Sequence, residues 1–305
     1  MKKLTWLIAH EPRHLFERTA QAFAEKVKEL TGGDVIVEPV SAAEYQAANP
    51  EFDQKRPSSL FQAIEDGKVQ MSQTQVHQFA NWDANYRVFD LPYLFRDHDH
   101  ATSVLEGEIG MAMNERLARS SPMRGLAFTY SGGFRVFGSN EPLLSAKELV
   151  GKRVRVNHNP VNSDFVSAVG GDPKKLFSYG YDEIAAGELD VAETTYIRFL
   201  GKHLLKTEHN MFLTTIVISN QLWNSLTAGE QEAFSQAAIE AGRLERVWSI
   251  EDSDQFERNC TQNGVTITEV SDDDREYFRS LSQDIYEKWE PSFLPGLVDA
   301  IRNTH

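Results

Sequence analysis

Residues 125–138 read Gly-Leu-Ala-Phe-Thr-Tyr-Ser-Gly-Gly-Phe-Arg-Val-Phe-Gly, two apolar runs separated by a pair of glycines. The aromatic and β-branched content of each run predicts a strand, one over 125–130 and one over 134–138. Gly132 and Gly133 predict a flexible turn between them. The two strands stand at the centre of an alternating pattern that extends toward both termini.

Short apolar runs alternate with longer amphipathic segments on both sides of this stretch. Upstream, the patterns predict strands at 4–9, 34–40 and 69–74, helices at 14–30, 59–67 and 98–118, and a loop with at most one helical turn at 41–58. Downstream, they predict strands at 152–156, 189–193 and 264–268, helices at 162–170 and 181–187, and closing helices within 272–302. This alternation favours an α/β sheet with helices on both faces.

Two capping boxes indicate helix starts. Ser145 and Glu148 form one, and Thr227 and Glu230 form the other. The second opens a helix that runs past residue 250, long enough to bridge two domains. Its predicted apolar positions are Phe234, Ala237, Ala238, Ala241, Leu244, Val247 and Trp248.

The composition excludes several classes of binding partner and of metal site. The chain has 305 residues, enough for about two domains. Its 31 basic and 45 acidic residues give a net charge of −14, which argues against nucleic acid or an anionic membrane surface as partner. The single cysteine, Cys260, excludes an internal disulfide and any multi-cysteine metal site.

The N-terminus allows two interpretations. Met1-Lys2-Lys3 resembles the basic start of a secretory signal, but the apolar run that follows is too short and no cleavage site follows it. Residues 4–9 are therefore predicted to be a buried strand. Either a signal peptide has been removed, or the protein stays in the cytoplasm. No apolar run approaches the length of a membrane span.

The common catalytic and cofactor motifs are missing from the sequence. It contains no Gly-x-Gly-x-x-Gly after the first strand, no phosphate-binding loop, no Gly-x-Ser-x-Gly elbow and no His-Glu-x-x-His. His98 and His100 flank Asp99, but we predict a helix cap by Asp97 or Asp99 with solvated histidines, because a third metal ligand is lacking. We therefore expect no metal, no cofactor and no catalytic residue.

Three arginines lie in predicted strands. Arg135 stands between aromatic residues, and Arg153 and Arg155 share one face of the strand at 152–156 because strand side chains alternate. A guanidinium matches a carboxylate in bidentate fashion. The acid could belong to the protein itself, which has many acidic residues, or to an anionic ligand.

A set of ordered motifs resembles the solute-binding proteins of tripartite ATP-independent periplasmic (TRAP) transporters. The motifs are Phe89-Asp-Leu-Pro-Tyr-Leu-Phe95, Gly133-Phe-Arg135, Leu149-Val-Gly-Lys-Arg-Val-Arg155, Ala168-Val-Gly-Gly-Asp-Pro173 and Gly187-Glu-Leu-Asp-Val-Ala-Glu193. The resemblance spans nearly the whole chain. It implies a two-lobed α/β clamp like the periplasmic binding proteins, with a long helix spanning both lobes. We assign 1–131 plus 214–254 to lobe I and 132–213 plus 255–305 to lobe II, with a ligand cleft between them.

The resemblance also implies site residues. Arg155 matches the arginine that grips a ligand carboxylate, Arg135 matches a second basic position, and Arg153 is expected to form a surface ion pair. Where the family commonly has an asparagine, this chain has Thr194 followed by Thr195, so a hydroxyl replaces an amide.

Further candidates follow predicted strands, where α/β proteins bind ligands. These candidates are His10, Glu11, Thr74, Gln75, Gln78 and Trp82 in lobe I, and Asn157 and His158 in lobe II. The resemblance adds Phe177 of lobe II, which matches a family position that packs on the ligand. Core packing is the alternative role for Trp82 and Phe177. Neutral hydrogen-bonding groups around 73–78 suit ligand hydroxyls, which favours a sugar acid or another hydroxylated monocarboxylate over a dicarboxylate.

The resulting hypothesis is a periplasmic, monomeric binding protein that captures a small organic acid by domain closure and delivers it to TRAP membrane permease subunits. It binds no nucleic acid and does not insert in the membrane. The alternatives are a C4-dicarboxylate ligand, a cytoplasmic ligand sensor, and a lyase or isomerase that uses His10 and Glu11 on a carboxylate.

Overall fold

The computed structural model describes residues 1–10, 13–196, 199 and 201–305, and these divide into two compact units. Unit 1 comprises Met1–Asp83, Thr102–Tyr130 and Leu213–Ser249, and unit 2 comprises Ala84–Ala101, Ser131–Phe212 and Ile250–His305.

The elements confirm the α/β class. The strands are β1 (Lys2–Ile8), β2 (Val35–Ser41), β3 (Met71–Gln75), β4 (Met123–Ser139), β5 (Arg153–Val156), β6 (Asp172–Lys175), β7 (Val191–Thr195), β8 (His203–Lys206), β9 (Met211–Ser219) and β10 (Thr266–Glu269). The helices are α1 (Arg13–Leu30), α2 (Ala42–Ala48), α3 (Pro57–Glu65), α4 (His98–Glu106), α5 (Glu108–Ser120), α6 (Pro160–Ala168), α7 (Tyr181–Ala185), α8 (Asn220–Ser225), α9 (Ala228–Gln262), α10 (Asp272–Trp289) and α11 (Leu297–Arg302). β6, β8 and β9 were not predicted.

Unit 1 is built on the strand order β2-β1-β3-β9-β4. β1 runs parallel to β2 and β3, whereas β9 is antiparallel to β3. Its core packs the sheet against α1 and α9. The Phe23 ring of α1 contacts both the Trp6 ring of β1 and the Phe234 ring of α9. Burial of these large side chains is the main stabilising contribution in this unit.

Unit 2 is built on the order β4-β7-β5-β6, with β8 pairing β4 and β10 pairing β8. β4 is antiparallel to β7, and β5 is parallel to both β6 and β7. β7 therefore lies between β4 and β5, which places the strand of Arg135 on one side of it and the strand of Arg155 on the other.

The segment Ala84–Ala101 packs in unit 2, whereas the sequence-based division placed it in lobe I. Hydrogen bonds to the C-terminal helices account for the difference. Leu294 N donates to Asn85 Oδ1, Tyr286 Oη donates to the Pro92 carbonyl, and Arg96 donates to the carbonyls of Arg302 and Thr304. These partners lie about 200 residues away in the chain, so no local pattern reports them.

The prediction of two strands around residue 130 was wrong. β4 is one continuous strand of 17 residues that carries the chain from unit 1 into unit 2. Gly132 and Gly133 have φ of 85° and 66°, a left-handed conformation that glycine adopts without strain, and the strand continues through them.

Three other local predictions were also wrong. The predicted loop at 41–58 contains α2, which begins at a reciprocal capping box between Ser41 and Glu44. The predicted helix at 98–118 is divided at Gly107, where a Cβ would lie 2.6 Å from the Ser103 carbonyl oxygen. The capping box at 145–148 does not form, and a single 3₁₀ turn follows it.

The long helix is confirmed as α9, with 35 residues. Its capping box is present, because Thr227 N donates to Glu230 Oε2 at 2.8 Å and Glu230 N donates to Thr227 Oγ1 at 3.2 Å. Of its apolar positions, Leu244 and Val247 are exposed. Among the described residues, no helix combines the length and apolarity that a membrane span requires.

Candidate functional site

Three arginines are buried among the described residues: Arg135, Arg155 and Arg246. Arg135 pairs with Glu193, and Arg246 pairs with Glu106. Arg155 is 6% exposed and has no carboxylate side chain within salt-bridge distance in the described part of the chain. A buried, permanently charged guanidinium without an anion is energetically costly.

Backbone carbonyls hold Arg155 in place. Its Nε donates to the Ser178 carbonyl at 2.7 Å, Nη1 to the Glu193 carbonyl at 3.1 Å, and Nη2 to the Leu176 carbonyl at 3.2 Å. A guanidinium has five N–H groups, so one on each Nη remains for a further acceptor. Burial lowers the pKa of Arg155 to about 10, which leaves it charged at pH 7.

Gly180 allows the loop before α7 to approach this arginine. Its φ is 81°, and a Cβ at this position would lie 2.9 Å from Arg155 Cγ. Only glycine fits both the backbone conformation and the close contact. Sequence reasoning missed this residue, although its place in Ser-Tyr-Gly-Tyr is a recognisable turn signal.

Arg135 differs from Arg155 because a carboxylate of the protein itself, that of Glu193, already pairs with it. Its Nη1 donates to Glu193 Oε2 at 2.9 Å, and its guanidinium lies 4.3 Å from the ring centroid of Phe212. Asn162 Nδ2 donates to Glu193 Oε1 at 3.1 Å, and His209 Nε2 lies 3.6 Å from the same oxygen. This is the internal pairing that the sequence left open for each of the strand arginines.

The charges around Glu193 decide its ionisation. Burial alone raises the pKa of Glu193, but Arg135, His209 and Arg155 outweigh burial and hold it below its ordinary value. Burial lowers the pKa of His209, so its ring is neutral at pH 7. Around the Glu193 carboxylate the structure therefore gathers two guanidinium groups, and burial raises the pKa of the neighbouring Asp90 to about 7.

Arg153 forms the surface ion pair expected for it. Its Nε and Nη2 donate to the two carboxylate oxygens of Asp190 at 3.0 and 2.8 Å. Its side chain is 40% exposed. The hydrogen bonds from Arg153 hold the pKa of Asp190 at about 2.

The structure places five other candidates of lobe II near the ends of β5 and β7. The Thr195 hydroxyl is buried and has no hydrogen-bond partner among the described residues, whereas the Thr194 hydroxyl lies 3.4 Å from Tyr181 Oη. Phe177 is 66% exposed, which excludes the core-packing alternative, and its ring stacks on His158 at 3.8 Å. Asn157 Oδ1 accepts a long hydrogen bond from Asn162.

In unit 1 the structure brings two candidates together: His10 Nε2 lies 3.1 Å from Thr74 Oγ1. Gln75 ends β3, and Gln78 lies in the 3₁₀ helix Val76–Asn81. Trp82 packs edge-on against Phe61, the arrangement expected of core packing. Glu11 lies outside the described residues. Ligand binding by these unit 1 residues stays a prediction.

The two histidines lie in the first turn of α4, and His100 has a structural role there. Asp97 Oδ1 accepts from His100 N at 2.7 Å, so the predicted cap is formed by Asp97. The expectation that the histidines are solvated was wrong for His100, which is 3% exposed and bonded to the Arg96 amide and the Ile301 carbonyl. Within the described residues, no group of three His, Cys, Asp or Glu side chains could hold a metal ion.

Comparison with known proteins identifies a family of bacterial solute-binding proteins. Residues 8–292 match the family described as "Bacterial extracellular solute-binding protein, family 7". The 2,3-diketo-L-gulonate-binding periplasmic protein YiaO of Escherichia coli is 25% identical over 228 residues, 72% of this chain and 69% of that protein. The C4-dicarboxylate-binding periplasmic protein DctP of Vibrio cholerae is 21% identical over 249 residues, 79% of this chain and 74% of that protein.

A crystal structure supports the fold. A TRAP periplasmic solute-binding protein of Pseudomonas putida, with bound D-glucuronate, superposes with a TM-score of 0.86 at 23% identity. The match covers 99% of this chain and 97% of that chain. The periplasmic-binding-protein type of α/β fold expected from the sequence is confirmed.

Proposed function

Because the chain belongs to bacterial extracellular solute-binding protein family 7, the solute-binding proteins of TRAP transporters, we propose that it binds a small organic acid through Arg155. The ligand carboxylate accepts hydrogen bonds from the two N–H groups that the backbone leaves free. The observation that carries this proposal is that Arg155 is the one buried arginine of the described residues without a carboxylate side chain as partner.

The energetics favour an anionic ligand at this position. The protein has already lost the hydration of Arg155, so a carboxylate that binds there gains attraction without a further desolvation cost for the guanidinium. Arg135 adds long-range attraction, although Glu193 neutralises most of it. A second ligand carboxylate would therefore find no second uncompensated guanidinium among the buried arginines that the structure describes.

Hydroxyl groups around Arg155 suit a hydroxylated monocarboxylate. The buried Thr195 hydroxyl has no hydrogen-bond partner among the described residues. The half-buried Tyr181 contributes a second hydroxyl, which lies 3.4 Å from Thr194 Oγ1. Such groups pair well with sugar hydroxyls. The relatives that bind 2,3-diketo-L-gulonate and D-glucuronate support a sugar acid, and the C4-dicarboxylate-binding relative supports the second ligand class.

Family membership supports a proposed localisation and a proposed partner. We place the protein in the periplasm, where it delivers its ligand to TRAP permease subunits. It is a binding protein and catalyses no reaction in this proposal.

The test is calorimetric titration with D-glucuronate, D-galacturonate and succinate of the parent and of Arg155→Lys. The lysine keeps the charge but cannot form the paired hydrogen bonds of a guanidinium, and we expect at least about thirtyfold weaker binding of the best ligand, since disrupting a buried charged pair costs about 2 kcal/mol or more. Arg153→Lys is the matched control, on the same strand and face, and should leave affinity within about twofold.

Two outcomes would contradict the proposal. Unchanged affinity in the folded Arg155→Lys protein would show that the arginine is structural. Succinate binding tighter than either uronate would reject the sugar acid and leave the dicarboxylate.

A further inference from the structure

A cavity of about 410 Å³, counted with the solvent open to it, is formed by residues of unit 2 alone. Its wall includes Phe134, Tyr196, Lys206, Glu208, Asp254 and Glu257. None of the residues assigned above to organic-acid binding lines it. The cavity therefore needs an explanation of its own.

The Tyr196 hydroxyl is the first observation that indicates a bound molecule in this cavity. The residue is 6% exposed, and its hydroxyl has no hydrogen-bond partner in the part of the chain that the structure describes. Burial raises the pKa of Tyr196, so the phenol stays neutral and can both donate and accept. A buried hydroxyl without a partner is uncommon in native proteins and points to a bound molecule or water.

Glu208 is the second sign. Its φ is 50°, a left-handed conformation that is costly for a residue with a Cβ and that collects at functional sites. Within the described residues its carboxylate has neither a hydrogen bond nor an ion pair. Burial raises its pKa, and Lys206 and Arg275 act in the opposite direction without contacting it.

The charge of the cavity wall is negative. Glu208, Asp254 and Glu257 face one cation, Lys206, which already lies 3.3 Å from carboxylate oxygens of Glu257 and 3.2 Å from Glu269. His98 also lines the cavity, and burial lowers its pKa, so it adds no charge at pH 7. An anionic ligand would meet an excess of carboxylates here.

We propose that this cavity binds a small organic ammonium ion. An ammonium group has three donors, and the wall supplies acceptors in the carboxylates of Glu208 and Asp254 and in the Tyr196 phenol oxygen. The rings of Tyr196 and Phe134 lie in the same wall and can pack against the alkyl part. Each ring also contacts a side chain of the protein: Lys206 Nζ lies 5.7 Å from the Tyr196 ring centroid, and the His98 and Phe134 rings lie 5.2 Å apart. Bound ammonium would satisfy the lone hydroxyl and the unpaired carboxylate together.

The probe is propylammonium chloride, titrated into the whole protein by calorimetry, with 1-propanol as the neutral isostere and sodium chloride at equal ionic strength. We expect saturable binding of propylammonium alone. Glu208→Gln should weaken it at least about tenfold, because a charge-assisted hydrogen bond is lost. Glu276→Gln, an exposed residue of the same unit, removes the same charge and should have no effect.

Tyr196→Phe separates a ligand site from a structural cavity. Removing an unpaired buried hydroxyl should raise the melting temperature of the amine-free protein and reduce the additional rise that propylammonium gives. Binding of 1-propanol with equal affinity, unchanged binding in Glu208→Gln, or no saturable propylammonium binding would overturn the proposal; the last result would assign ordered water to the cavity.

Discussion

Both units bury an ionisable side chain that has no ion-pair partner among the described residues, an acid in unit 1 and a base in unit 2. In unit 1, Glu245 of α9 is fully buried, and Gln73 Nε2 donates to both of its oxygens at 2.7 and 2.6 Å. No basic side chain lies within salt-bridge distance of it among the described residues. In unit 2, Arg155 is buried among backbone carbonyls.

The chemistry of the two groups separates a structural residue from a binding residue. Burial raises the pKa of Glu245 to about 8, so the carboxyl takes up a proton and becomes neutral at pH 7. Burial lowers the pKa of Arg155 only to about 10, so the guanidinium keeps its charge. A buried carboxyl avoids the cost of desolvating a charge by binding a proton, whereas a buried guanidinium stays charged and is neutralised only by an anion.

Breaking the internal pair of unit 2 should have the largest effect on stability. Glu193→Gln leaves Arg135 buried with no carboxylate, and we expect the free energy of unfolding to fall by about 3–5 kcal/mol in urea titrations. Exposed Glu188→Gln is the control and should change stability by less than about 0.5 kcal/mol. Equal stability of Glu193→Gln and its parent would show that Arg135 does not depend on this carboxylate.

Glu245→Gln tests whether the buried carboxyl of unit 1 is protonated, through the pH dependence of the free energy of unfolding. The carboxyl has an ordinary pKa of 4.5 when unfolded and about 8 when folded, so the folded state holds the extra proton between these values. Its contribution to stability is therefore full below pH 4.5 and is lost as pH rises toward about 8.

We expect the glutamine variant, which cannot ionise, to match the parent near pH 5 and to exceed it by at least about 1 kcal/mol at pH 8.5, measured by urea unfolding. Glu232→Gln, an exposed position on the same helix, should show no such pH dependence. A pH profile for Glu245→Gln that parallels the parent would mean that Glu245 stays ionised.

The smallest effect is expected at the exposed pair. Asp190→Asn removes the carboxylate that faces Arg153, and solvent screening limits the loss to less than about 1 kcal/mol in the same titration. A loss as large as that of Glu193→Gln would show that exposure does not distinguish the two ion pairs.

Local sequence patterns predicted most elements because caps and periodicity act over a few residues. The Thr227 capping box and the helix after it are confirmed. β9 was missed, although all its residues are buried, because Thr214 and Thr215 divide its apolar residues into two short runs and neither run shows the alternation that marks a half-buried strand.

The candidate site was predictable only in part. The resemblance singled out Arg155, but local sequence could not show that Gly180 brings a loop of carbonyls against it. It also gave Arg135 and Arg155 similar roles, and the structure separates them because Glu193 Oε2 contacts Arg135 alone.

The sequence by itself determined the α/β pattern, the long capped helix and the two-residue spacing that puts Arg153 and Arg155 on one face. Only the tertiary structure decided that one of these arginines reaches Asp190 in solvent and the other is buried without an acid. The reason is that charge compensation depends on side chains brought together from distant strands, while periodicity specifies only the direction in which each side chain leaves its own strand.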